Sequence, residues 1–172
     1  MVFVNGQLVP IGDSLQQTFD NVMALLREQQ WVIVDEEGQP MSQEKVMHHL
    51  ENKDANLQAI AVSELESETV QTTLEFLEDA ILQLQGLIQT EEVSVLYRSF
   101  SDLMESLLHL AHLGEYFNID DIKEEQVELL ANRVLTQIES NNDSYLREVL
   151  EYECIPMLEN FKKSLEERKP VQ

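Results

Sequence analysis

The stretch 63–117, SELESETVQTTLEFLEDAILQLQGLIQTEEVSVLYRSFSDLMESLLHLAHLGEYF, carries two apolar stripes. Val70, Leu74, Leu77, Ile81, Leu84 and Ile88 recur at alternating steps of four and three. Leu96, Phe100, Leu103, Leu107, Leu110 and Phe117 resume the pattern after a short break, with Gly114 at one seam position. That spacing predicts two long amphipathic helices, each with one face to bury. Ser63-Glu64-Leu65-Glu66 matches a capping box, so the first helix is expected to start after Ser63 and run to about Gln89. Thr90 is expected to cap the second, with Glu91 and Glu92 in its first turn and its end near Phe117.

Downstream, Asn118–Asp121 reads as a loop in which Asp120 or Asp121 caps a third helix bearing Val127, Leu130, Ala131, Val134, Leu135 and Ile138. Asn141-Asn142-Asp143-Ser144 breaks that helix. A fourth carries Leu146, Val149, Leu150, Ile155, Met157, Leu158, Phe161 and Leu165. Pro156 lies inside it, and a proline removes a backbone donor and clashes with the preceding turn, so a kink or split is expected near Tyr152–Ile155. Residues 169–172 are expected to fray. Four amphipathic helices on short connections predict an antiparallel four-helix bundle over 63–172. Heptad-like seams serve bundles and dimers alike, so a homodimer is a further expectation.

Upstream, Asn5-Gly6 sits between Val2-Phe3-Val4 and Gln7-Leu8-Val9, the signature of a two-residue hairpin turn that needs positive φ. Asp13 or Ser14 can cap a helix with Leu15, Phe19, Val22, Met23 and Leu26 on one face, ending about Gln29. Trp31–Val34 reads as a strand covered on both faces, Asp35-Glu36-Glu37-Gly38 as a turn, and Gln43–Glu51 as a short helix capped by Ser42. Asn52–Asn56 reads as linker and Leu57–Val62 as a last strand. The order, ββαβαβ with these lengths, resembles the β-grasp arrangement of ubiquitin-like domains over residues 1–62. The resemblance implies that Leu57–Val62 lies parallel to Val2–Val4 in mid-sheet. It rests on element order rather than on a motif, and without a diglycine tail it does not imply conjugation. The expected fold class is therefore α+β: a small β-grasp-like module, 1–62, followed by a helical bundle, 63–172.

With 43% of residues hydrophobic, the chain of 172 residues can bury a core. Eleven Lys and Arg stand against 33 Asp and Glu, a formal charge of −22 that repels nucleic acid and anionic membranes and suits a basic partner or plain solubility. No Lys or Arg falls between Lys53 and Arg98, whereas Glu64, Glu66, Glu68, Glu75, Glu78, Asp79, Glu91 and Glu92 do. The single cysteine, Cys154, excludes an internal disulfide, and with no signal-peptide pattern a cytoplasmic location is expected.

Catalytic patterns are missing from the sequence. There is no Gly-rich phosphate loop, Gly-x-Ser-x-Gly, His-Glu-x-x-His or EF-hand run, and no motif calls for a cofactor. His109 and His112, three apart with Glu105 one turn earlier, have the spacing of two metal ligands. They also fall, with Arg98, Asp102 and Tyr116, on the stripe opposite the seam, as a solvated face would. His48-His49 diverge on a helix. Cys154 sits among apolar residues and reads as a core thiol rather than a nucleophile. Asp120-Asp121 with Glu124-Glu125 suit a helix start better than a cation site.

The expected function is thus that of a non-enzymatic protein-interaction or adaptor protein, with a protein partner of basic character. Candidate contact residues are Glu75, Glu78, Asp79, Glu105, His109, His112 and Tyr116. Two other readings stand beside it. Small acidic secretion- or flagellar-type export chaperones are similar in size and charge, and would leave apolar positions of the first two helices open to a client. A metal-binding enzyme or sensor would use Glu105, His109 and His112.

Overall fold

The computed structural model describes residues 1–52, 54–140 and 142–168. It is a mixed α+β protein with a four-stranded sheet and a predominantly helical remainder. By contacts the chain divides into two compact units, one comprising Met1–Thr69 and the other beginning at Val70.

In the first unit, β1 (Val2–Val4) and β2 (Gln7–Val9) form the hairpin, in register Val2↔Val9 and Val4↔Gln7. Asn5 and Gly6 take φ of 49° and 78°, as the tight turn requires. Helix α1 (Leu15–Gln29) is capped by Ser14, whose hydroxyl accepts from the Gln17 amide at 3.1 Å. Its buried stripe is Thr18, Phe19, Val22 and Leu26. Thr18 is held there because its hydroxyl accepts from the Gly12 amide and donates to the Ser14 carbonyl. After β3 (Trp31–Val34), one carboxylate oxygen of Asp35 accepts from the Glu37 and Gln39 amides, which closes the turn. Helix α2 (Gln43–Glu51) is capped by Ser42 and buries Val46 and Leu50.

The last strand, β4 (Ala55–Ala61), runs in the centre of the sheet, whose order is β2-β1-β4-β3. It is parallel to β1, with Val2↔Ala55 and Val4↔Leu57, and antiparallel to β3. Two expectations are corrected here. Ala55 and Asn56 belong to the strand rather than to a linker, because pairing with Val2 and Phe3 overrides their low strand propensity. Val62 belongs to the helix, so Ser63 lies inside the first turn instead of capping it. The amide of Val62 donates to the Gln30 carbonyl at 2.9 Å, a partner far away in sequence. The strand β3 is also an edge strand, with Trp31 and Val32 half-buried.

Helix α3 (Val62–Ile88) extends from the first unit into the second, where α4 (Val93–Phe117), α5 (Glu124–Glu139), α6 (Asp143–Val149) and α7 (Ile155–Glu166) follow. The core of this unit is built around α4, which buries Leu96, Phe100, Leu103, Leu107, Leu110 and Phe117 as expected, together with Met104 and Ala111. Each fully buried leucine contributes about 2 kcal/mol relative to an exposed one. Thr90 ends α3 rather than opening α4. Its amide donates to Leu87, and the N-cap position of α4 is Glu92. Asn118 takes φ of 55° and closes α4, its amide reaching Glu115. Asp120 and Asp121 do not cap α5, whose N-cap position is Lys123, because Ile119 and Ile122 first insert into the core. On α5, Leu135 is exposed rather than buried.

The last helix neither splits nor breaks at Pro156. A π-helical segment, Leu150–Cys154, joins α6 to α7 without interruption. The Ile155 amide bonds the Leu150 carbonyl five residues back. The wider turn directly before Pro156 lets the helix continue past a residue that has no amide donor. The expected tail, 169–172, and Asn141 of the expected break lie outside the described residues.

Candidate partner-binding site

Helices α3 and α4 differ in how completely their stripes are covered. In the α4 seam, Leu96 and Leu107 are fully buried. In the α3 seam only Leu77 and Leu84 are buried, while Val70, Leu74, Ile81 and Ile88 are half-covered. Two apolar side chains of α3 outside the seam are exposed, Phe76 by 43% and Leu82 by 65%.

Phe76, Ala80, Gln83 and Leu87 follow steps of four, three and four along α3, beside Leu84. Ser99, Asp102, Leu103 and Ser106 trace a matching stripe on α4. Between them lies a groove of about 380 Å³ with Leu158 of α7 at its base. Small side chains, Ala80, Ser99 and Ser106, hold the groove open, and Phe76 and Leu87 make its apolar wall. Helical geometry sets Glu75 and Asp79 one residue before Phe76 and Ala80, roughly 100° round the helix, so carboxylates border that wall. Asp102 supplies another from α4.

The contact residues expected from sequence divide between this groove and other places. Glu75 and Asp79 are exposed beside it. Glu78 is tied to Lys162 of α7 at 2.8 Å, and its hydrogen bond is the main cause that raises the lysine's pKa. Glu105, His109, His112 and Tyr116 are exposed on α4, roughly a quarter turn from the groove stripe. The imidazole of His112 lies 3.7 Å from the Glu124 carboxylate at the start of α5. Among the described residues, no group of three or more His, Cys, Asp and Glu side chains is placed to hold a metal ion, so Glu105, His109 and His112 are not gathered into a ligand set.

Cys154 is fully buried, whereas His48, His49, His109 and His112 are exposed, so no histidine is placed as a base for the thiol. Burial, with the Glu153 charge beside it, pushes the thiol up to about 12. Sequence reasoning missed Phe76, Ala80, Ser99 and Ser106. The available signal was Phe76 itself, an aromatic that falls off the seam Val70-Leu74-Leu77-Ile81.

Among the described residues no helix is long and apolar enough to cross a membrane. No protein family, curated protein or solved structure matches the chain.

Proposed function

We propose that this protein is a non-enzymatic adaptor that binds a basic amphipathic helix of a partner protein in the groove between α3 and α4. The observation that carries this reading is the incompletely covered α3, with Phe76 exposed on the wall of a groove lined by small residues. A helix laid there covers Phe76 and Leu87 with its apolar face. Its flanking lysines or arginines meet Glu75, Asp79 and Asp102, and the chain's formal charge of −22 steers it in. The stripe Glu105, His109, His112 and Tyr116 is a second, more polar contact face of α4. The parallel β1–β4 pair at the centre of the sheet supports a β-grasp-like first unit, and the α3–α7 core supports a four-helix bundle as the platform for the groove. A buried single thiol fits a cytoplasmic location.

The same exposed apolar positions favour one narrower reading, an export chaperone that holds a client's amphipathic helix. The metal reading has no such support. The test uses a lysine-rich amphipathic helical peptide titrated into the full chain by calorimetry, with Phe76→Ser, Asp79→Lys and His109→Ala variants. Saturable binding that weakens roughly tenfold in Phe76→Ser and with added salt supports the groove. Affinity unchanged by Phe76→Ser and Asp79→Lys sinks it. Capture from the native host with wild-type chain, and loss of the same polypeptide with Phe76→Ser, then separates adaptor from chaperone by whether that polypeptide is an exported protein.

A further inference from the structure

A second binding surface lies in the first unit, along the outer edge of β3, and the hydrogen-bond phase of the sheet identifies it. The Asn5 amide donates to the Leu57 carbonyl at 3.0 Å, and the Ala55 amide donates to the Met1 carbonyl at 3.1 Å. The odd-numbered backbone groups of β4 therefore face β1, and its even-numbered groups, Gln58 and Ile60, face Val34 and Val32 of β3. The Val62–Gln30 bond continues the same phase. The amide and carbonyl groups of Trp31 and Ile33 consequently point away from the sheet.

Half of this edge already has a strand-like neighbour. The return segment places Pro40 against Val34, and the Met41 amide donates to the Ile33 carbonyl at 2.9 Å. The chain then leaves the edge at Ser42 to begin α2, before it reaches Trp31. Beside the uncovered part is a cleft of about 810 Å³, walled by Met23 and Leu26 of α1, by Trp31, by Met41 and by Val46 of α2. Among the described residues no strand pairs with the Trp31 part of this edge, and such an edge next to an apolar cleft is what strand addition requires: backbone groups for affinity and pockets for alternate side chains.

We infer that the Trp31 edge of β3 accepts an extended cationic peptide from a partner as an added strand, with apolar side chains in the Met23–Met41 cleft at alternate positions. Its backbone pairs with the outward amide and carbonyl of Trp31, in line with the Gln39–Met41 return. Asp20 and Glu66 outnumber Arg27 on the cleft, and with the formal charge of −22 they select a basic peptide over an acidic one. This site is independent of the α3–α4 groove.

Trp31 is the chain's single tryptophan, so its emission reports on the site directly. The experiment titrates a short, end-blocked peptide of alternating valine and lysine into the full chain. Trp31 emission and amide exchange by NMR are the readouts. Saturable binding that shifts Trp31 emission and protects the Trp31 amide is expected. Methylating alternate peptide nitrogens, replacing lysine by glutamate, or introducing Asp20→Lys each weakens it, the first by roughly tenfold or more. The proposal is overturned if the N-methylated peptide binds as well as its parent or if the protected amides lie elsewhere. It is also overturned if Trp31 is protected without peptide in a dimer seen by sedimentation, since a second copy would then be the occupant.

Discussion

The side chain of Asn5 pairs with the backbone of Ala59 as another strand residue would: its amide nitrogen donates to the Ala59 carbonyl at 2.8 Å, and its oxygen accepts from the Ala59 amide at 2.9 Å. One residue thus turns the hairpin, at φ of 49°, and lengthens the β1–β4 ladder beyond the end of β1. The two roles separate by substitution. Asn5→Gly keeps the backbone conformation and loses the side-chain pair, at a cost of about 1 kcal/mol for two exposed hydrogen bonds. Asn5→Ala adds the left-handed penalty and costs about 2 kcal/mol. Asn5→Asp sets a carboxylate against the Ala59 carbonyl and is expected to be worse than Asn5→Gly. Urea denaturation with unchanged m-values checks the order, and equal stability of Asn5→Gly and wild type would remove the ladder role.

Two helical glycines predict opposite signs for the same substitution. A methyl group at Gly114 would sit 2.7 Å from the Ile119 carbonyl oxygen and 3.2 Å from the Phe161 ring. The chain reverses there, and the Ile119 amide donates to the Gly114 carbonyl at 2.8 Å, so the backbone cannot withdraw without losing that bond. Gly114→Ala is expected to lose about 1–3 kcal/mol although alanine is the better helix former. At Gly86 on α3 the methyl group meets nothing within 4 Å. Gly86→Ala should gain up to about 1 kcal/mol. Calorimetric melting of both variants tests the pair. A neutral Gly114→Ala would mean that the Ile119 turn gives way.

Features set by near neighbours were legible in the sequence: the Asn5-Gly6 turn, the Ser14 and Ser42 caps, and the α4 seam. The misreadings have distant partners as their cause. Ser63 looked like a cap because nothing local shows that Gln30 meets the Val62 amide. Ala55-Asn56 looked like linker because the strand they join, β1, is more than fifty residues earlier. Asp120 and Asp121 looked like caps because two isoleucines buried around them are too few to show a period. Pro156 raised the expectation of a kink or split, whereas the helix runs on through an inserted turn residue, a solution that a propensity scale does not contain. Periodicity located the α3 stripe and the acids Glu75 and Asp79. It does not report how much of a stripe its neighbours cover, and the groove exists for that reason.

Cys154 ties stability to alkaline pH. Burial is the larger cause and the Glu153 carboxylate the next, and together they lift the folded thiol from 9.0 to about 12. The unfolded chain gives up this proton near the ordinary value while the folded chain keeps it. Stability from the neutral thiol is therefore complete below about pH 9 and is lost as pH rises from there towards 12, at about 1.4 kcal/mol per pH unit. The comparison is with Cys154→Ala, which shares every other ionisable group of the chain. That variant is less stable near neutrality by about 1 kcal/mol, because the cavity replaces a buried sulfur, and has the shallower decline above about pH 9. In the same window a thiol reagent should label native protein only at the rate of unfolding, since the thiolate is suppressed and buried. Parallel declines in the two proteins, or rapid labelling of the native chain, would show that the sulfur reaches solvent and that the α6–α7 π-helical turn opens without global unfolding.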